Sequence, residues 1–203
     1  RPSLDVVAFE RGEHTSFAAC GIPYVLGGDI ASTEELVARS PAEHAEHGID
    51  VKMRTEAIEL DTAGARVKVR ELDTGTERWE AYDRLMVGTG ASPLRPPIDG
   101  IDAPNVHGVQ HLDAVPPLLE EAERSSGTNV VLIGAGYIGV ELAEAFAKRG
   151  ANVTMLEAGD QAILRLPADL AEDLRAGIEN IGVQLKTNES VQARLAEWLL
   201  TVP

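Results

Sequence analysis

The chain has 203 residues, 44% of them hydrophobic, with a formal charge of −15 and a pI near 4.7. That length and apolar content suffice for one large or two small globular cores, and the acidic balance excludes nucleic acid and anionic membrane surfaces as expected partners. No apolar run approaches the roughly 18 residues that span a bilayer, no basic-then-apolar leader opens the chain, and a single cysteine, Cys20, excludes an intramolecular disulfide, so a cytoplasmic location is expected.

In chain order, Leu4 to Phe9 is rich in Val and alternates little, which predicts a buried parallel strand ending on Glu10. The chain opens on Arg1 and runs almost at once into this strand, so it is expected to be a fragment. Ser16 to Ile30 is punctuated by Gly and Pro. Ser32 or Thr33 then serves as N-cap of a predicted helix with Glu34 and Glu35 in its first turn, and Ser40-Pro41 starts another. His44 and His47 sit three apart in that second helix beside Glu43 and Glu46. With no third strong ligand nearby they read as a solvated face, and no metal site is expected. His14 reads either as an exposed loop residue or as an acid–base group.

Val51 to Leu60 and Ala65 to Leu72 read as strands joined through Asp61–Gly64, with Trp79 to Tyr82 continuing the sheet. Leu85-Met86-Val87 reads as a short buried strand entering Gly88-Thr89-Gly90. Five Pro and Gly residues make 91–105 a linker, and a helix is predicted from Ala114 to Arg124.

Next comes the most informative segment. A strand, Val130 to Ile133, enters Gly134-Ala135-Gly136-Tyr137-Ile138-Gly139; a helix pattern follows through Leu142, Ala145 and Phe146; a second strand, Val153 to Leu156, ends on Glu157. A glycine-rich turn alone can serve only strand-to-helix packing. With both strands, the helix and the terminal acid in place, the segment matches a dinucleotide fingerprint. The glycines permit a tight turn and close approach to a pyrophosphate, and an acid about 20 residues on accepts hydrogen bonds from a ribose 2′-OH. Ala158 and Gly159 supply no cation for a 2′-phosphate, so NADH is favoured over NADPH. Read from its position alone, Tyr137 is explained by core packing, and Glu141 reads as a nicotinamide neighbour or a helix-dipole partner. The layout of Val153 to Gly159 is repeated by Val6 to Gly12, which makes residues 4–10 the second strand of another such unit. A helix from Ala168 to Asn180 and a strand near Val183 to Lys186 follow, and Leu195, Trp198 and Leu199 share one helical face in the last stretch.

Ser16-Phe17-Ala18-Ala19-Cys20-Gly21-Ile22-Pro23-Tyr24, the lead-in Glu10-Arg11 and the ending Gly27-Gly28-Asp29-Ile30 carry a family resemblance. Together they resemble the single-cysteine branch of the FAD- and NAD(P)-dependent pyridine nucleotide-disulfide oxidoreductases, whose pattern is an acid-tipped strand, then S-F-x-x-C-G-x-P-Y, then G-G-x-I. That branch holds coenzyme A disulfide reductases, persulfide reductases, NADH oxidases and NADH peroxidases. Tyr82 to Pro93 is similar to its Y-D-x-L-x-x-A-T-G-A-x-P segment, with Gly88 for Ala, and Gly134 to Glu141 to its G-x-G-Y-I-G-x-E. The resemblance runs over roughly residues 4–187.

The resemblance implies an α/β chain with two Rossmann-like FAD/NAD(P)-binding domains, both incomplete. Residues 1–104 form a partial FAD domain lacking its first strand and glycine loop, 105–125 a connecting linker and helix, and 126–203 a truncated NAD domain. It assigns Glu10 and Arg11 to the ribose of FAD, Glu56-Ala57 to the adenine, and Thr89-Gly90 to the flavin nucleotide. Gly134, Gly136, Tyr137, Ile138, Gly139 and Glu157 go to the nicotinamide cofactor, with Tyr137 implied as a gate of the nicotinamide pocket. Cys20 becomes the redox-active thiol and Ser16 a polar neighbour of the substrate. Read by physics alone, a lone cysteine is also well explained as a buried, inert thiol.

The implied activity passes electrons from NAD(P)H through FAD to Cys20 and on to a disulfide such as coenzyme A disulfide. Ala19 stands where coenzyme A disulfide reductases commonly carry Asn. The alternative is an NADH oxidase or peroxidase cycling Cys20 through a sulfenic acid; another is a non-catalytic NAD-binding fragment. Partners are then a small-molecule disulfide, oxygen or peroxide, and a second copy in a homodimer of the longer protein.

Overall fold

The computed structural model describes residues 4–92 and 94–191. The apolar face read from Leu195, Trp198 and Leu199 lies outside them. Its elements are, in chain order, β1 (Val6–Phe9), α1 (Ile22–Gly27), α2 (Pro41–Glu46), β2 (Ile49–Lys52), β3 (Thr55–Asp61), β4 (Arg66–Glu71), β5 (Glu77–Ala81), α3 (Val115–Glu123), β6 (Asn129–Ile133), α4 (Tyr137–Lys148), β7 (Asn152–Leu156), α5 (Ala168–Asn180) and β8 (Gln184–Lys186). The described residues form two compact units: 4–18 with 34–92, and 19–33 with 94–191. Among the described residues no helix is long and apolar enough to cross a membrane.

In the first unit β1 and β2 pair in parallel, and β3-β4-β5 form an antiparallel sheet. The run Val51 to Leu60, predicted as one strand, is two strands in two different sheets. The break falls at Met53-Arg54, where Arg54 takes a left-handed φ of 52° without glycine to announce it. β1 is parallel as predicted but not buried: it pairs with β2 on one edge and leaves Val6 and Val7 41% and 50% exposed. Leu85-Met86-Val87 is irregular and exposed rather than a buried strand; apolar residues make a strand only where a neighbour completes the ladder. The helix predicted after Ser32 is a short 3₁₀ turn, Thr33–Leu36. The one predicted at Ser40-Pro41 is α2, closed by a capping box in which Ser40 and Glu43 satisfy each other's backbone N–H.

The second unit is built on the parallel sheet β6-β7-β8. β7 supplies Val153, Thr154, Met155 and Leu156, all buried, as expected of a parallel strand covered on both faces. Leu142, Ala143, Ala145 and Phe146 give α4 its buried stripe, and Ala171 and Ile178 bury one side of α5. The Gly- and Pro-punctuated segment contains a helix: a 3₁₀ turn, Ala19–Gly21, leads into α1, with Pro23 in its first turn and Gly28 at φ 82° ending it. α1 buries Ile22, Val25 and Leu26 to 1% exposure against α3 and α4. Each such side chain contributes about 1.5–3 kcal/mol of burial, which is what stabilises a helix too short to stand alone.

Candidate functional site

At the fingerprint turn Gly134 has φ 96°, a conformation that costs an L-residue with a Cβ. Its N–H donates to the Leu156 carbonyl at 2.8 Å. Gly136 is the N-cap of α4, and a Cβ there would meet nothing within 4 Å. A Cβ on Gly139 would lie 2.1 Å from the Gly134 carbonyl oxygen, so this glycine is what lets α4 start so close to β6. Two glycines therefore shape the turn, and the third leaves its outer side open. Tyr137 and Ile138 head α4 with exposed side chains, and no acidic side chain occupies its first turn. The first N–H groups of a helix lack internal partners and carry its positive end, so this N-terminus suits an anionic pyrophosphate.

Glu157 stands at the tip of β7. Its Oε2 accepts the Ala135 N–H and its Oε1 the Gly159 N–H, each at 2.8 Å. A carboxylate has about four acceptor positions, so two remain for a ribose diol. The Ala135 carbonyl in turn accepts the Ile163 N–H at 2.8 Å, which holds the turn from the other side. A largely apolar cavity of about 870 Å³ borders it, and Gly136, Tyr137, Ile138, Val106 and Leu118 are among its lining residues. These residues fit a dinucleotide.

The first unit repeats the acid-tipped strand. Gly12 donates its N–H to Glu10 Oε1 at 2.6 Å, as Gly159 does to Glu157. The Glu10 N–H donates to the Lys52 carbonyl at 3.0 Å, as that of Glu157 does to the Lys186 carbonyl at 2.9 Å. β1 and β2 thus match β7 and β8, down to the acid. Arg11 pairs with Glu56 at 3.8 Å, and the Thr55 N–H donates to the Glu10 carbonyl, so Glu10, Arg11 and the Glu56-Ala57 stretch share one neighbourhood. Ala57 lies at a bulge in β3, where the register shifts against β4. Thr89 and Gly90 lie in exposed irregular backbone, Gly90 at φ 68°.

Cys20 is a free, exposed thiol in the 3₁₀ turn ahead of α1, in the same unit as the fingerprint. Burial as an inert core thiol is thereby set aside. Ser16 belongs to the other unit.

The family model for pyridine nucleotide-disulphide oxidoreductases matches residues 1–197. The chain belongs to that family. It is 38% identical to an NAD(P)H sulfur oxidoreductase (CoA-dependent) of Pyrococcus furiosus over 100% of this chain and 43% of the relative. It is 33% identical to an NADH oxidase of Enterococcus faecalis over 97% of this chain and 44% of that one. Among solved structures it superposes on the water-forming NADH oxidase of Lactobacillus brevis, bound to NADH, with a TM-score of 0.88 and 32% identity over 95% of this chain and 42% of that one. The chain spans less than half the length of the relatives it matches. As a pyridine nucleotide-disulphide oxidoreductase it carries two features that its motifs leave out. His44, expected on a solvated face, places Nε2 2.8 Å from the Ser16 hydroxyl, with its Nδ1 buried. Arg149 reaches from the end of α4 to α1. Both contacts join residues far apart in sequence, and no local pattern signals them.

Proposed function

We propose that the holoenzyme transfers two electrons from NADH, through FAD, to Cys20 and on to a small-molecule disulfide or persulfide, coenzyme A disulfide being the first candidate. The observation that carries this reading is the exposed Cys20 thiol at the head of a buried helix, in the unit that holds the dinucleotide turn. When bound, the nicotinamide and FAD supply the two-electron chemistry. The N-terminus of α4 and the Glu157 carboxylate hold and orient the nicotinamide cofactor, while Glu10, Arg11, Ala57, Thr89 and Gly90 serve FAD. With Ala158 and Gly159 beside it, Glu157 disfavours a 2′-phosphate, which makes NADH the preferred reductant.

The Cys20 thiolate attacks one sulfur of the substrate, forming a mixed disulfide and expelling one thiolate, which takes a proton. Two electrons cleave the mixed disulfide, returning Cys20 to its thiolate and releasing the second thiol. NADH, a proton and one disulfide thus give NAD⁺ and two thiols. Ser16, by its place in the cysteine motif, is the polar neighbour of that substrate.

A second reading is an NADH oxidase in which Cys20 cycles through a sulfenic acid. The relatedness to NADH oxidases favours it. To separate the two, the FAD-loaded holoenzyme is reduced anaerobically with one equivalent of NADH and then given coenzyme A disulfide, peroxide or oxygen in separate cells. The disulfide restores the oxidised flavin spectrum, and Cys20→Ser blocks that step while NADH still reduces the flavin. A spectrum unmoved by disulfide and restored by oxygen replaces the first reading with the second.

A further inference from the structure

The position of α1 fixes where Cys20 stands, since the thiol lies in the 3₁₀ turn that runs straight into this helix. α1 has only six residues and no side-chain N-cap, so its neighbours must hold it. Its apolar side is seated by Ile22, Val25 and Leu26. Its C-terminal end is held differently. The last carbonyls of a helix lack internal partners. Here the Tyr24 carbonyl accepts the Asp29 N–H at 2.8 Å, and the Val25 carbonyl accepts the Gly28 N–H at 3.1 Å. The Leu26 carbonyl is taken by a side chain from far along the chain: Arg149 Nε donates to it at 2.8 Å.

Arg149 is the C-cap of α4, one turn beyond Ala145, and Ala145 lies against Gly27 of α1. A Cβ on Gly27 would lie 3.4 Å from the Ala145 Cα, and one on Gly28 would lie 3.2 Å from an Arg149 terminal nitrogen. The guanidinium therefore sits over the turn that ends α1. Lys148 adds an ion pair to Asp29 just beyond that turn. α4 begins at the dinucleotide turn, so one helix carries the nucleotide site at its head and the anchor of the cysteine segment at its foot.

We infer that Arg149 is a positioning residue for Cys20, holding the thiol at one spacing from the dinucleotide turn through the Leu26 carbonyl. The inference rests on the reading of Cys20 as the redox thiol. Arg149 touches neither substrate nor cofactor. It acts through α1, and its loss lets the cysteine segment shift while the turn at the head of α4 stays intact.

The test uses the FAD-loaded holoenzyme with Arg149→Met, which keeps the aliphatic stem, Arg149→Lys, which keeps the charge, and Cys20→Ser. Four quantities are read: the iodoacetamide alkylation rate of Cys20 after NADH reduction, kcat and KM for the disulfide, KM for NADH, and the thermal midpoint. Because misplacing a reacting group by about 1 Å costs up to roughly a hundredfold, Arg149→Met lowers disulfide kcat by about tenfold. It also changes the alkylation rate by at least about threefold, leaves KM for NADH unchanged, and is partly rescued by Arg149→Lys. A merely structural role lowers the midpoint and leaves alkylation and kcat, measured well below it, at wild-type values; that result overturns the inference. If Arg149→Met does not fold, Arg149→Lys provides the same readings, with each change smaller and in the same direction. Full disulfide turnover by Cys20→Ser sinks the redox reading and this inference with it. Loss of turnover in Cys20→Ser, with Arg149 variants like wild type, sinks the positioning role alone.

Discussion

The backbone N–H of Ala135 donates to the Glu157 carboxylate at 2.8 Å across 22 residues of chain. One carboxylate therefore ties the tip of β7 to the middle of the glycine turn, and its second oxygen is fixed by Gly159. The acid that is proposed to hold the ribose also shapes the turn that is proposed to hold the pyrophosphate. Its removal affects both.

Glu157→Ala is expected to raise KM for NADH by roughly ten- to a hundredfold, since hydrogen bonds to a charged acceptor contribute about 1.5–3 kcal/mol. KM for NADPH rises less, because the same carboxylate repels the 2′-phosphate. Steady-state kinetics with both cofactors measure the change, and an NADH:NADPH ratio equal to that of the wild type would remove Glu157 from the site.

Gly139 and Gly136 separate folding from binding. An alanine methyl at Gly139 meets the Gly134 carbonyl oxygen at 2.1 Å, a backbone clash that neither side relieves without moving β6 or α4. Gly139→Ala is expected to lose about 3 kcal/mol or more in denaturant unfolding. At Gly136 the added methyl meets nothing, and the loss stays under about 1 kcal/mol for a poorer N-cap. There the methyl occupies the open side that a phosphate needs, so KM for NADH rises while stability holds. Equal destabilisation by the two variants would contradict this division of roles.

Local pattern made the α/β framework of the second unit legible. The strands β6 and β7, the helix between them, α5 and the acid all follow from hydrophobic period and glycine spacing, and Glu10 follows because Val6 to Gly12 repeats Val153 to Gly159. Pattern failed where the deciding partner is remote or the turn carries no punctuation. Arg54 turns the chain at positive φ without glycine, which splits one apparent strand in two. α1 is hidden by Gly and Pro and is stabilised by burial against α3 and α4. The two contacts that define the surroundings of the cysteine motif, Ser16 with His44 and Leu26 with Arg149, span 28 and 123 residues.

The capping box of α2 carries a pH signature. The Ser40 backbone N–H, and then its hydroxyl, hold the Glu43 carboxyl below the usual glutamate range. A carboxyl lowered on folding contributes stability that is present above its unfolded value and lost as pH falls through the lowered folded value. Glu43→Gln should therefore flatten the acid limb of the stability curve in that window. Ser40→Ala removes only the hydroxyl and should return the Glu43 titration part-way toward ordinary, read by NMR. An unchanged Glu43 titration in Ser40→Ala would assign the whole effect to the backbone N–H.

Ser16 holds a left-handed φ of 51° while its hydroxyl meets His44 Nε2 at 2.8 Å. The two properties come apart on substitution. Ser16→Gly keeps the backbone, which glycine adopts without strain, and removes only the hydroxyl. Ser16→Ala removes the hydroxyl and keeps the strain, so it should be less stable than the glycine variant by about 0.5–1 kcal/mol. If the hydroxyl serves the substrate, both variants raise KM for the disulfide several-fold, with KM for NADH unchanged and the thermal midpoint of Ser16→Gly near that of the wild type. Wild-type disulfide kinetics in Ser16→Gly would instead make the hydroxyl a partner of His44 alone, holding α2 against the segment ahead of the cysteine.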